Sequence, residues 1–126
     1  MNSDIIYCQG ENVFVESLKK NKDFKNVYNK GKSKASRYLV IYKLENGLNH
    51  NRYGFSISKK IANAVGRNKL KRRLREIIRE IEKKEKIVFG YDIIFIARKP
   101  VVDLNFHRLK ADCSKLIKKM GLNKEN

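Results

Sequence analysis

The stretch Ser58 to Arg79, SKKIANAVGRNKLKRRLREIIR, carries the densest chemistry in the chain. On a wheel of about 100° per residue, Leu70, Leu74, Ile77, Ile78 and Ile81 gather on one side of a helix. Arg67, Lys71, Arg75 and Arg79 fall on one i, i+4 row beside them. Asn68 and Arg72 join that sector, and Glu76 and Glu80 lie on the far flank. Seven of the thirteen residues 67–79 are basic and one is acidic, so most of these cations lack an intrahelical mate. The plain alternative is a solvated face laced with ion pairs. Like charges at i, i+4 destabilise an isolated helix, however, and a polyanion relieves that repulsion. Such a row tracks about 20 Å of phosphate backbone.

A second group is aromatic. Phe24 and Tyr28 stand one turn apart, and Tyr38 and Tyr42 share one face of a strand pattern. Either these rings fill a core, or some stay open in a groove where the bases of a single strand stack, at about 1–3 kcal/mol per base. Arg37, Lys59 and Lys60 are placed to hold phosphates there. Side-chain catalysis has little to work with. His50 sits in a turn, His107 on the edge of a helix stripe, and Asp92 is isolated in sequence. No Ser or Cys nucleophile has a nearby base, and the acids needed to clamp a metal are kept away from the cations, so neither a catalytic residue nor a metal ligand is assigned.

These groups need elements to hold them. Asn21 can cap a helix over Asn21 to Lys30, closed by Gly31. Tyr38 to Leu44 reads as a strand and Asn46-Gly47 as a turn. Tyr53, Phe55 and Ile57 alternate with Gly54, Ser56 and Ser58, a second strand with one greasy and one slim face. The slim face lets a neighbour approach the backbone. A long helix spans about Asn63 to Lys84. Tyr91 to Ala97 reads as a strand buried on both faces, and a last helix spans about Asp103 to Met120, closed by Gly121. The order predicts an antiparallel hairpin joined to a strand-helix-strand unit. This is an α+β two-layer sandwich of about four mixed strands packed by helices. Residues 1–17 read as a flexible arm, 18–121 as a single domain and 122–126 as a polar tail.

Composition narrows the partners. The 126 residues hold 30 Lys and Arg against 13 Asp and Glu, a net charge of +17, with 41% hydrophobic residues. That is enough apolar sequence for a core, and enough self-repulsion to call for a polyanion. The longest apolar runs, such as Ile93 to Ala97, have five residues, against about 20 for a membrane span. No secretory h-region follows a basic start, which argues for a cytoplasmic protein and against a membrane partner. Cys8 and Cys113 have no CxxC spacing and no Cys/His companions, and read as two intracellular thiols. A zipper-type DNA binder would need heptads after the basic stretch. The chain instead turns through Lys83-Lys84-Glu85-Lys86 into a strand, and shape recognition of folded RNA suits the arrangement better.

Lys59 to Arg75, KKIANAVGRNKLKRRLR, resembles the signature of the protein component of bacterial ribonuclease P. Leu18 to Phe24 with Val27, Tyr28 and Gly31-Lys32-Ser33 is similar to that family's opening helix. Arg37 to Tyr42 and Ile93 to Arg98 are similar to its strands. The resemblance runs from about Leu18 to Met120 in order. It implies an endonuclease holoenzyme that removes the 5′ leader of precursor tRNA, in which a catalytic RNA subunit does the chemistry and binds most of the Mg2+. By the same resemblance the protein grips the leader and raises metal affinity, and no protein partner is implied. Arg67, Asn68, Lys69, Lys71, Arg72 and Arg75, with Arg79 continuing the row, would face the RNA subunit. Phe24, Tyr28, Arg37, Tyr42, Lys59 and Lys60 would line the leader cleft. The strand-helix-strand crossover would be left-handed, against the general rule. Three positions depart from the family pattern: Ala62 replaces a common glycine, Lys69 replaces the second Arg of the "RNR" motif, and Tyr28 replaces a frequent Phe. Lys69 turns a forked contact into a point charge; Tyr28 can still stack. A ribosomal-type RNA-binding module and an independent protein nuclease are the competing readings.

Overall fold

The computed structural model describes residues 5–7, 14–18, 20–84 and 86–124, with side chains from Ser17 onward. Six strands form one mixed sheet: β1 (Ile5–Tyr7), β2 (Phe14–Ser17), β3 (Lys32–Ala35), β4 (Leu39–Glu45), β5 (Arg52–Ser56) and β6 (Tyr91–Ala97). Three helices pack on it: α1 (Asn21–Lys30), α2 (Ala64–Lys83) and α3 (Phe106–Lys119). The strand order is β1-β2-β5-β6-β4-β3. The helices pack on β3 to β6, with α2 also reaching β2, and β1 and β2 extend the β5 side.

β6 takes the centre because its sequence leaves it no other place. Asp92 to Phe95 and Ala97 are buried, so the strand needs cover on both faces and a partner on both edges. β4 pairs with it antiparallel over its full length, and β5 pairs with it parallel. The hairpin expected between the first two central strands therefore does not exist: β6 lies between β4 and β5. The loop joining them passes the start of β6, where the Asn46 N–H donates to the Gly90 carbonyl and the Tyr91 N–H to Asn51 Oδ1. Gly47, at φ +73°, supplies the left-handed turn. The antiparallel hairpin that does form joins β3 to β4, and β3 is the exposed edge.

Alternation along the strands splits the core in two. Leu39, Ile41, Tyr53, Ile93, Phe95 and Ala97 face α2 and α3. Ile94 faces the other way, with Val27 of α1 and Leu18. α2 begins where Asn63 Oδ1 accepts from the Gly66 N–H, and buries Leu74, Ile77, Ile78 and Ile81. α3 begins at Phe106 rather than near Asp103. Pro100 seeds a 3₁₀ turn over Lys99–Asp103, and Asn105 caps the helix by accepting from the Arg108 N–H. Gly121, at φ +73°, ends it.

Both chain ends differ from the sequence reading. β1 and β2 occupy part of the stretch read as an arm; they pair antiparallel, and β2 lies parallel to β5. Leu122 of the polar tail is buried, and Asn123 bridges Ile87. Cys8 lies outside the described residues. Cys113 is buried in the core, and burial pushes its thiol well up, with a smaller push from Asp112.

A polar network closes the base of the main core. The Tyr53 hydroxyl donates to Glu82 Oε2 and accepts from Asn51 Nδ2 at 3.1 Å. Burial raises the Glu82 carboxyl above its ordinary range, opposed by the Tyr53 hydrogen bond and by His50. A carboxyl raised in the folded state contributes stability at acid pH, below its unfolded value, and loses it as pH climbs through the folded value. Glu82→Gln removes this loss and keeps an acceptor for Tyr53. The variant is expected to gain stability over the parent at pH 7 relative to pH 4, measured as the difference in urea midpoint.

Candidate nucleic-acid interface

α2 presents cations on two flanks. Arg67, Lys71, Arg75 and Arg79 share one i, i+4 row, from which Arg75 reaches β5, and three of them meet a neighbour. Arg67 Nη1 donates to the Ala62 carbonyl at 2.9 Å. The Arg75 guanidinium sits 5.5 Å from the centre of the Phe55 ring, which itself stacks on Phe95 at 5.8 Å. Arg79 lies 3.7 Å from Glu76. Asn68 and Arg72 are exposed on the crest. Lys69 turns to the opposite flank. With Arg73 it lines a groove of about 250 Å³ against Val101, Val102, Leu104 and Leu109. The three consecutive residues Arg67-Asn68-Lys69 thus span both sides of the crest. On the Lys69 flank Glu80 is paired: it accepts from Lys110 at 2.5 Å and Lys84 at 3.1 Å, and these ammonium groups hold its carboxyl low.

The cleft lies on the other face of the sheet. α1 crosses it diagonally, with Phe24 over Gly54, Val27 against Ile94 and Gly31 against the Lys43 carbonyl. Gly54 permits this approach: a Cβ there would stand 2.7 Å from Phe24 Cζ. Phe24 and Tyr28 rings are 6.3 Å apart, and Tyr28 meets Tyr42 edge-on at 5.1 Å. Phe24 and Tyr42 are half-buried. Tyr28 is 37% exposed and is the most open of the three rings. Burial raises the Tyr28 phenol, against a hydrogen bond with Ser56. Beyond α1, Val40, Ile96 and Ser56 sit side by side on β4, β6 and β5 and form a half-buried floor. The same register sets Arg37 and Lys59-Lys60, all exposed, past this row at one end of the sheet.

One sequence expectation changes here. Tyr38 precedes β4 and packs with the α2–α3 core, so it does not share a face with Tyr42. Asp92 is held by a cation and an amide: Arg52 grips it through Nε at 2.8 Å and Nη2 at 2.7 Å, and Asn46 Nδ2 donates to it at 3.0 Å. It is a structural acid. Of the floor residues, Ser56 is marked in the sequence by the slim face it shares with Gly54, while nothing there marks Val40 and Ile96. Among the described residues no three His, Cys, Asp or Glu side chains come together.

A mixed α+β sheet with fixed cations on one helical face and an open ring in a cleft on the other has the layout of a small polyanion-binding protein. A profile of the family described as Ribonuclease P matches residues 15–121. The ribonuclease P protein component of Alkaliphilus oremlandii (strain OhILAs) is 46% identical over 108 residues, 86% of this chain and 93% of that one. The same component from Caldanaerobacter subterraneus subsp. tengcongensis is 44% identical over 108 residues, 86% of this chain and 91% of that one. The solved structure of the Staphylococcus aureus RNase P protein matches with a TM-score of 0.77 and 37% identity, covering 86% of this chain and 97% of that chain. The Thermotoga maritima protein matches with a TM-score of 0.74 and 33% identity, covering 82% and 96%. The chain belongs to the ribonuclease P protein family. The family's role is tRNA 5′ processing, and its members work with an RNA partner in a holoenzyme.

Proposed function

We propose that this chain is the protein subunit of a cytoplasmic ribonuclease P ribonucleoprotein, an endonuclease that hydrolytically removes the 5′ leader of precursor tRNA. The RNA subunit carries the chemistry and the Mg2+. The observation that carries this reading is the run of cations on α2, where Arg67 and Arg75 are held by their neighbours in one row with Lys71 and Arg79, beside exposed Asn68 and Arg72. Cations fixed before binding lose little side-chain entropy when they meet phosphates. By neutralising phosphates where RNA helices crowd, they also lower the Mg2+ needed to hold the fold. The described side chains gather no ligand set for the ion themselves. Lys69 joins the RNA contact from the opposite flank as a point charge.

In this reading the leader lies in the cleft, with Tyr28 as its stacking face, Phe24 and Tyr42 as supports, and Arg37, Lys59 and Lys60 on its phosphates. Tyr28→Ala is expected to weaken holoenzyme binding of leader-bearing tRNA by about 1–3 kcal/mol, the range for one stacked base, and to leave mature tRNA binding unchanged. Competitive binding of the two substrates measures this. Equal losses on both would remove Tyr28 from the leader path.

A further inference from the structure

At the far end of the sheet, a concavity of about 300 Å³ is lined by Ile81, Lys86, Ser114, Ile117, Lys118, Asn123 and Lys124. Its geometry comes from a short antiparallel bridge between the segment after α2 and the chain end. The Lys124 N–H donates to the Lys86 carbonyl, Ile87 bridges Asn123, and the Val88 N–H donates to the Leu122 carbonyl. Lys86 and Lys124 therefore stand directly opposite each other, an arrangement that destabilises a strand pair when the charges are alike. Lys118 of α3 is a third lysine lining the same hollow, and no carboxylate lines it among the described residues. Lys84 and Lys110 provide the contrast, since both have Glu80. Beside the hollow, the Phe89 ring is 41% exposed, with Lys124 Nζ 5.9 Å from its centre.

We propose that Lys86, Lys118 and Lys124 form a phosphate-binding site for RNA, separate from the α2 row and the cleft. Ser114 and Asn123 supply neutral donors and Phe89 a stacking face. Like charges are held together here because a phosphate group relieves them. Neutral donors and an open ring beside the cations suit a nucleotide better than a carboxylate. The site does not depend on the leader path, and it would give the protein a third point of contact with RNA.

Amide NMR on the full chain tests this with two probes, inorganic tripolyphosphate and hexauridylate. With either probe the signals of Ile87, Phe89, Ser114, Asn123 and Lys124 are expected to move saturably. Lys86→Gln, Lys118→Gln and Lys124→Gln together should abolish those movements while the α2 signals still respond. In the parent chain the salt slope of hexauridylate binding read at these amides should be about two, given roughly 0.7 for each of three single-strand contacts. Phe89→Ala should weaken hexauridylate severalfold and leave tripolyphosphate unchanged. If Phe89→Ala changes neither, the ligand is free phosphate and the RNA assignment fails. No saturable response in the parent chain, or one that survives the triple substitution, overturns the site. An equal response to hexaglutamate would make it a carboxylate site and overturn the proposal as well.

Discussion

Replacing Lys71 and Arg72 together by alanine is expected to weaken binding to the ribonuclease P RNA and to lower the salt slope of that binding by about two. Each phosphate contact to duplex RNA or DNA contributes roughly 0.9 to such a slope, because each releases a condensed counterion. The pair samples both parts of the ridge. Lys71 belongs to the i, i+4 row and Arg72 stands exposed on the crest. Neither side chain holds the helix down, since Leu74, Ile77, Ile78 and Ile81 do that. Alanine is also the better helix former, and removing two like charges eases repulsion along α2. The melting temperature should therefore hold or rise while affinity falls. That divergence separates a binding role from a structural one. A salt slope unchanged within error would mean that these cations face water in the complex.

The largest effect on stability is expected from Arg52→Met. Asp92 is 3% exposed near the start of the central strand β6, and two of its partners are the paired nitrogens of one guanidinium. Methionine keeps much of the volume but removes both guanidinium bonds and leaves the carboxylate the Asn46 amide. Breaking a buried ion pair from one side costs about 3–5 kcal/mol. The opposite change, Asp92→Asn, should cost less. The Arg52 side chain is 26% exposed and can turn its charge to water. Urea unfolding of the two variants gives the comparison. A loss of about 1 kcal/mol or less for Arg52→Met, the range of an exposed pair, would contradict the arrangement.

The helices were the most legible part of the chain. α2 and α3 are long enough for a 3.6-residue period to declare itself, and each starts at an asparagine that caps it. Strand order is not a local property, so it was read less well. The Asn46-Gly47 signal is a real turn, yet a turn does not say which strand lies next. The unbroken apolar run of β6 held that information, because a strand buried on both faces belongs between partners. Tyr38 was misplaced because the strand begins at Leu39 and the side-chain period of two does not extend to it. Lys69 fell on the other flank for a similar reason. Three consecutive helical residues cover about 200° of arc, so a motif contiguous in sequence is not contiguous on a face. β1 and β2 are three and four residues long, too short for alternation to show. In the cleft, the slim face of β5 was visible in Gly54 and Ser56, but only the packed fold shows that Phe24 occupies it and that Tyr28 stays open.

Cleavage of a precursor tRNA at low Mg2+, with the cognate RNA subunit and the protein each present alone and then together, tests the division of labour most directly. The protein alone should leave the transcript intact, the RNA alone should cut slowly, and the two together should cut at the leader junction at a restored rate. Cleavage by the purified protein without RNA, or an RNA-only rate that the protein does not change, would contradict the account.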